Sequence, residues 1–249
     1  MGKTTTAINL AASLAASDLK VLLIDNDPQG NSSSGLGVQK VPGMPTTYNV
    51  LVDRLAVREA IQKSEMEGLD VVPADKNLIG VNFELVGTEG REAILHEQLK
   101  AVRHEYDYIL IDCPPSLDLL TLNALMAADS ALVPIQCEFF ALEGISELMD
   151  TIDRVGESFS HPVKIEGILL TMFDDRTNLA KQVANDLREF FGEDVLKTVI
   201  PRNIRLAEAP SHGKPIILYD PGSRGSESYI QLAKEILANE QKRSAQSAR

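Results

Sequence analysis

The sequence predicts an α/β fold: a mostly parallel central sheet with helices on both faces. Two observations predict it. Short apolar runs alternate with longer helical patterns, as in repeated βαβ units. The runs are apolar at nearly every position rather than at every second one, so they are strands covered on both faces. At 249 residues the chain is one large domain or two small ones, long enough for a sizeable core, and the single-domain reading is taken. That domain is expected to span residues 1–241, with a frayed polar tail over 242–249.

The elements follow in order. Residues 5–16 are rich in Ala and Leu and predict a helix. Residues 21–25, Val-Leu-Leu-Ile-Asp, predict a buried strand that ends in a carboxylate. Residues 32–45 are small, polar and Gly-rich, and are expected to form a mobile loop. Further strands are predicted at 69–72, 108–112, 131–135, 165–171 and 198–200. Helices are predicted at 77–86, 91–104, 119–127, 143–157, 179–191 and 227–241. Residues 202–226 carry Pro210, Pro215 and Pro221 and read as a second long functional loop.

Composition narrows the function. The formal net charge is −12, which argues against a generally basic nucleic-acid binder but leaves room for a local basic patch. There is no Trp and aromatics are 5%, so stacking on single-stranded nucleic acid is not expected. Two cysteines without a Cys-x-x-Cys pair fit a reducing setting and no iron–sulfur cluster. No apolar run reaches the length of a membrane span, and no signal-peptide pattern opens the chain.

The chain begins Met1-Gly2-Lys3-Thr4-Thr5-Thr6, the second half of a phosphate loop of the form G-x-x-x-x-G-K-[ST]. Gly2-Lys3-Thr4 precedes a helix, and helix N-termini bind anions. In such a loop Lys3 reaches the β/γ-phosphates, the Thr4 hydroxyl binds Mg²⁺, and Thr5 adds a hydroxyl near the α-phosphate. Asp25 and Asp27 follow a strand, at the sheet edge where α/β ligands bind. Each alone could be a turn former; two in Asp-x-Asp-Pro-Gln-Gly-Asn weaken that reading. Asp112 closes a second apolar strand, the pattern of a carboxylate that holds Mg²⁺ directly or through water. The neighbouring Cys113 reads as inert packing. Asn203 offers a donor and an acceptor to a base edge, or it simply caps the helix that follows.

Taken together these segments resemble the ParA/Soj family of chromosome- and plasmid-partitioning ATPases, within the P-loop NTPases of the deviant Walker A class. Also matching are residues 111–116 (Ile-Asp-Cys-Pro-Pro-Ser), Glu143-Gly144, Leu170-Thr171-Met172 and residues 200–211 from Ile200 to Ser211. The resemblance implies ATP and Mg²⁺ as cofactors. Gly2, Lys3, Thr4 and Thr5 would contact phosphate, and Pro201, Arg202 and Asn203 the adenine side. Thr4, Asp25 and Asp112 would serve the metal. Lys3, Asp27 and Asp112 would carry catalysis, Asp27 positioning the attacking water. It implies nonspecific DNA binding by Arg176 and Arg205, with Lys181, Lys197, Arg202, Lys214 and Arg224 enlarging the patch. Relatives often carry another Arg where Gly222 stands, which predicts weaker DNA binding. The implied cycle is an ATP-bound homodimer on DNA, released when a ParB-type centromere-binding partner triggers slow hydrolysis. The implied location is cytoplasmic and nucleoid-associated.

Two other readings are weighed. A MinD-like membrane-surface ATPase needs a bulky amphipathic C-terminal helix; large apolar residues are missing after Leu237. An inactive fragment would follow from a mis-assigned start. The family's loop reads Lys-Gly-Gly-Val-Gly-Lys-Thr after a strand, and Met1 stands at the Val position. A GTG codon is read as Met at a start. The expectation is therefore roughly 15–20 further residues, enough for a strand of about 5–6 residues and the loop's first half. Without them the first strand is missing, and the chain is expected to be poorly soluble or open around the phosphates.

Overall fold

The computed structural model describes residues 2–39 and 41–247. Met1, on which the expectation of an interrupted loop rests, lies outside the described residues, as do Lys40 and the last two residues.

Among the described residues, seven strands are interspersed with twelve α-helices. The strands are β1 (Val21–Asp25), β2 (Gln62–Lys63), β3 (Leu69–Val72), β4 (Tyr108–Asp112), β5 (Ser130–Gln136), β6 (Lys164–Phe173) and β7 (Val195–Pro201). The helices begin with α1 (Lys3–Ala15), α2 (Asn31–Gly35), α3 (Thr47–Leu51), α4 (Val57–Ala60), α5 (Val81–Glu84) and α6 (Ile94–Leu99). They continue with α7 (Leu119–Ala127), α8 (Ala141–Phe159), α9 (Asn178–Phe191), α10 (Ile204–Glu208), α11 (Ile216–Tyr219) and α12 (Arg224–Ser247).

The strands form two sheets, β2-β3-β1-β4 and β5-β6-β7. Every pairing is parallel except β2 with β3. The α/β class with a mostly parallel sheet and flanking helices is therefore what the sequence predicts, but the sheet is divided between β4 and β5.

β1 shows why its run is wholly apolar. Val21 and Leu23 enter one core with α1 and α12; Leu22 and Ile24 enter another with α6 and α7. Successive side chains of a strand point to opposite faces, so both faces must be apolar when helices cover both. A third core joins β6 and β7 to α8 and α9. The buried Tyr229 hydroxyl lies 3.2 Å from Thr6 Oγ1 and ties α12 to the start of α1.

Four expectations change. The helix predicted at 77–86 is a 3₁₀ turn (Lys76–Gly80) running into the short α5. The helix predicted at 91–104 breaks into a 3₁₀ turn, α6 and a second 3₁₀ turn. Within 32–45, the mobile loop gives way at its start to α2, whose Ser32 and Ser33 are fully buried. These serines bind carboxylates, a pull that local polarity does not disclose. At the other end of the chain, α12 continues to Ser247, beyond the predicted end at Gln241.

Candidate functional site

The site lies at the carboxyl edge of β1 and β4. Their parallel register pairs Val21 with Tyr108 and, four residues on, Asp25 with Asp112. Two carboxylates therefore end adjacent strands side by side. Both are buried, as are Asn26 and Asp27.

α1 enters the same edge. Gly2 caps it in a left-handed conformation, φ +93°, that a side chain would strain. A Cβ there would also lie 3.2 Å from Thr171 Oγ1 at the end of β6. No side chain caps the helix and its first turn holds no acidic residue. The first-turn N–H groups thus carry their partial positive charge toward an anion. Lys3 and Thr4 open the helix, and the Thr4 side chain is near enough to Asp112 to oppose the rise of its carboxyl.

The two aspartates have different surroundings. Asp25 is enclosed by protein donors. Its Oδ2 accepts from Ser33 N at 2.7 Å and Ser33 Oγ at 2.6 Å, and its Oδ1 from Asp27 N at 3.2 Å. Asp112 Oδ2 accepts from Ser32 Oγ at 2.7 Å, while its Oδ1 is buried without a partner. Asn26 donates its amide to Leu120 O at 2.8 Å and leaves its own Oδ1 buried and unpaired. Asp27 Oδ1 accepts from Gln29 N at 2.9 Å and holds the turn.

Burial raises the carboxyl of Asp25, against the opposing bonds from Ser33 and Asp27. Burial likewise pushes Asp112 up to about 6, against the Ser32 bond and the nearby Thr4 side chain, with the charges of Asp25 and Asp27 adding to the rise. Clustered buried carboxylates with unsatisfied oxygens are the chemistry a hard divalent cation relieves. Thr4 Oγ1 and Asp112 Oδ1 fit Mg²⁺. Among the described residues no group of three or more His, Cys, Asp and Glu is arranged to hold a metal ion by itself. The Cys113 thiol is pushed up to about 12, chiefly by desolvation, and stays protonated.

The predicted residues therefore fall into groups. Gly2, Lys3, Thr4, Asp25, Asp27 and Asp112 come together. Ser32, Ser33 and Asn26 join them and were not anticipated; three serines directly after Asp-Pro-Gln-Gly-Asn were the available signal. Pro201 ends β7, and the backbone N–H of Arg202 bonds Phe173 O at 3.0 Å. Asn203 caps α10, its Oδ1 accepting from Arg205 N at 2.8 Å, which leaves its amide for other contacts.

The two predicted DNA-binding arginines are surface residues held by carboxylates. Arg176 forks onto Asp174, Nε to Oδ1 at 2.8 Å and Nη2 to Oδ2 at 2.6 Å. Arg205 reaches Glu208 at 2.9 Å and Asp220 at 3.4 Å.

Comparison with known proteins gives a consistent picture. An AAA domain family model matches residues 1–165. The chain is 54% identical over 239 residues to the sporulation initiation inhibitor protein Soj of Bacillus subtilis, covering 96% of this chain and 94% of that one. It is 52% identical over 250 residues to the chromosome partitioning protein ParA of Caulobacter vibrioides, covering 100% and 94%. Among solved structures it resembles cobyrinic acid a,c-diamide synthase from Mycobacterium smegmatis with bound ATP analog and magnesium. That match has a TM-score of 0.82 at 31% identity and covers 100% of this chain and 92% of the other.

Proposed function

The chain belongs to the ParA/Soj family of chromosome-partitioning ATPases, and from this premise we propose that it is an ATP-dependent DNA-segregation switch. The observation that carries the reading is the unpaired Asp112 Oδ1 beside Thr4, at a helix N-terminus that opens on Gly2-Lys3. Lys3 and the first-turn N–H groups hold the β- and γ-phosphates of ATP. Thr4 and Asp112 hold Mg²⁺, which offsets charge on the phosphate oxygens. Asp25, with both oxygens taken by Ser33 and Asp27, serves the metal indirectly by fixing the turn. Asp27 orients the attacking water. Pro201, Arg202 and the free amide of Asn203 border the adenine. Phosphoryl transfer to water needs little beyond such positioning and charge neutralisation.

Asp27→Ala is the direct test. ATP binding and ATP-dependent dimers are expected to persist, while steady-state hydrolysis falls by roughly 10²–10⁴-fold, the usual worth of a positioned base. Hydrolysis at the parental rate would remove Asp27 from the mechanism.

In this reading the ATP-bound dimer binds DNA nonspecifically, and a ParB-type partner stimulates hydrolysis and release, in the cytoplasm at the nucleoid. Arg176 and Arg205 supply phosphate contacts, for which each exchanges its carboxylate partner. Replacing both by Glu is expected to abolish DNA retention, leave ATPase chemistry intact, and flatten the salt dependence by about 0.9 per lost phosphate contact. Asp174→Asn keeps an acceptor for the Arg176 N–H but frees the guanidinium; DNA affinity should rise about two- to fivefold, as for an exposed ion pair. Electrophoretic retention across a salt series reads both, and a double variant that still binds would refute the assignment. Against the MinD-like alternative, α12 carries no large apolar residue from Ala238 to Ser247.

A further inference from the structure

Ser32, Ser33 and Ser34 follow one another in α2, and each hydroxyl does something different. Ser34 Oγ donates to Gly30 O at 2.9 Å, a local bond that steadies the helix start. Ser33 Oγ donates to Asp25 Oδ2 at 2.6 Å and accepts from Ala74 N at 2.9 Å. It therefore pins α2 both to the end of β1 and to the segment after β3. Ser32 Oγ donates instead to Asp112 Oδ2 at 2.7 Å, at the end of β4. The first two bonds already account for how α2 is held. The third reaches a carboxylate that the fold has placed beside Thr4.

Ser32 and Asp112 are both buried, so their bond is shielded from water. A hydroxyl donating to a carboxylate makes one of the stronger hydrogen bonds, roughly twice a neutral one. Its effect on Asp112 is geometric. The last torsion of an aspartate is broad and two-fold, so a free carboxylate exchanges its oxygens easily. Ser32 removes that freedom: Oδ2 is taken, and Oδ1 is left buried without a partner. The hydroxyl is itself held in place. Besides the Ser33 and Ser34 bonds, α2 lies tight against α1, where a Cβ on Gly35 would meet Ile8 Cδ1 at 2.5 Å. Thus α2 is packed directly on the helix that carries Lys3 and Thr4.

We propose that Ser32 is a positioning residue for the metal site: it holds Asp112 through Oδ2 so that Oδ1 is the oxygen kept for the cation. The inference rests on the reading of Thr4 and Asp112 as the residues that hold Mg²⁺. Hydrogen bonds that orient a metal-binding side chain are typically worth about 10–100-fold in metal affinity. The phosphate contacts of Lys3 and the first-turn N–H groups do not run through Ser32. Nucleotide binding without the ion is therefore left intact when the Ser32 hydroxyl is removed. A purely structural role acts differently. A loosened α2 disturbs α1, and nucleotide binding then weakens with and without the ion alike.

Ser32→Ala and, as a matched control, Ser34→Ala each remove one hydroxyl from α2 of the full chain. Calorimetry gives the affinity for a nonhydrolysable ATP analogue in EDTA and across a Mg²⁺ series. Ser32→Ala is expected to raise the Mg²⁺ half-saturation by about 10–100-fold. Its affinity in EDTA is expected to stay within about twofold of the parent. Ser34→Ala is expected to match the parent in both. With Mn²⁺ in place of Mg²⁺, electron paramagnetic resonance counts the bound ion directly, and Ser32→Ala is expected to hold less of it at equal nucleotide occupancy. If Ser32→Ala does not fold, Ser32→Cys keeps the shape with only a weak donor and is read the same way. An unchanged Mg²⁺ half-saturation, equal losses with and without the ion, or the same loss in Ser34→Ala would overturn the proposal. A parent whose nucleotide affinity ignores Mg²⁺ would overturn the metal reading itself, and this role with it.

Discussion

Lys3→Ala is expected to abolish measurable nucleotide binding. The ammonium stands at the start of α1, where the first-turn N–H groups, an uncapped helix end and the Thr4 hydroxyl face the same edge as Asp112. A phosphate seated there has already shed much of its water, so removing its one mobile cation leaves a poorly compensated anion. Truncating one member of a desolvated charge pair costs about 2–5 kcal/mol, and about 3 kcal/mol is a hundredfold in affinity. Calorimetric titration with a nonhydrolysable Mg-ATP analogue is the measurement. It is best made on the 249-residue chain and on one extended ahead of Met1 by a strand and Lys-Gly-Gly. The extended parent is expected to bind and its Lys3→Ala variant to show at least about a hundredfold weaker binding. A variant within threefold of the parent would remove Lys3 from the phosphate site. Folding should be little affected, because Lys3 has no role in the cores that hold α1 in place through Ile8, Leu10 and Leu14.

Much of this molecule is legible in its sequence because apolar runs and strand-terminal carboxylates obey simple geometry. β1 and β4 are recognisable from residues 21–25 and 108–112, and two parallel strands in register bring their final aspartates together. Lys3 and Thr4 follow from position at a helix start. The rest depends on contacts distant in sequence. Ser32 and Ser33 look like loop residues until β4 supplies Asp112 and β1 supplies Asp25. Asn26 is a plain turn residue until Leu120 of α7 takes its amide. β2 is a two-residue antiparallel edge, too short for any periodicity to mark it. The split between β4 and β5 is legible only in three dimensions, since each strand reads as interior in its own right. Arg176 and Arg205 are visible as candidates, but the carboxylates that hold them decide how readily they are given up to phosphate.

Asp112→Asn is expected to make the nucleotide-free protein more stable at pH 8 and to remove its response to Mg-ATP. The folded-state carboxyl is raised to about 6 by burial first, and by the neighbouring Asp25 and Asp27 charges, against the Ser32 bond and the nearby Thr4 side chain. An unfolded Asp titrates near 3.9. With the folded value above the unfolded one, the native state binds more protons between them. Stability from this group is therefore fully present below about pH 4 and is lost as pH rises through about 6. A difference of about two units corresponds to roughly 3 kcal/mol of penalty carried at pH 8. Asparagine is neutral throughout and nearly isosteric, so the variant should escape most of that penalty, by about 1–3 kcal/mol. The two proteins should converge in stability near pH 4, where the parental carboxyl is protonated. Mg-ATP should then reverse the order, stabilising the parent by mass action and leaving the variant unchanged. Urea unfolding of parent and variant from pH 4 to pH 8, with and without Mg-ATP, measures all of this. A variant less stable than the parent at pH 8 without nucleotide, or one that Mg-ATP stabilises as strongly, would show that Asp112 is not a metal-poised carboxylate held at a cost to the fold.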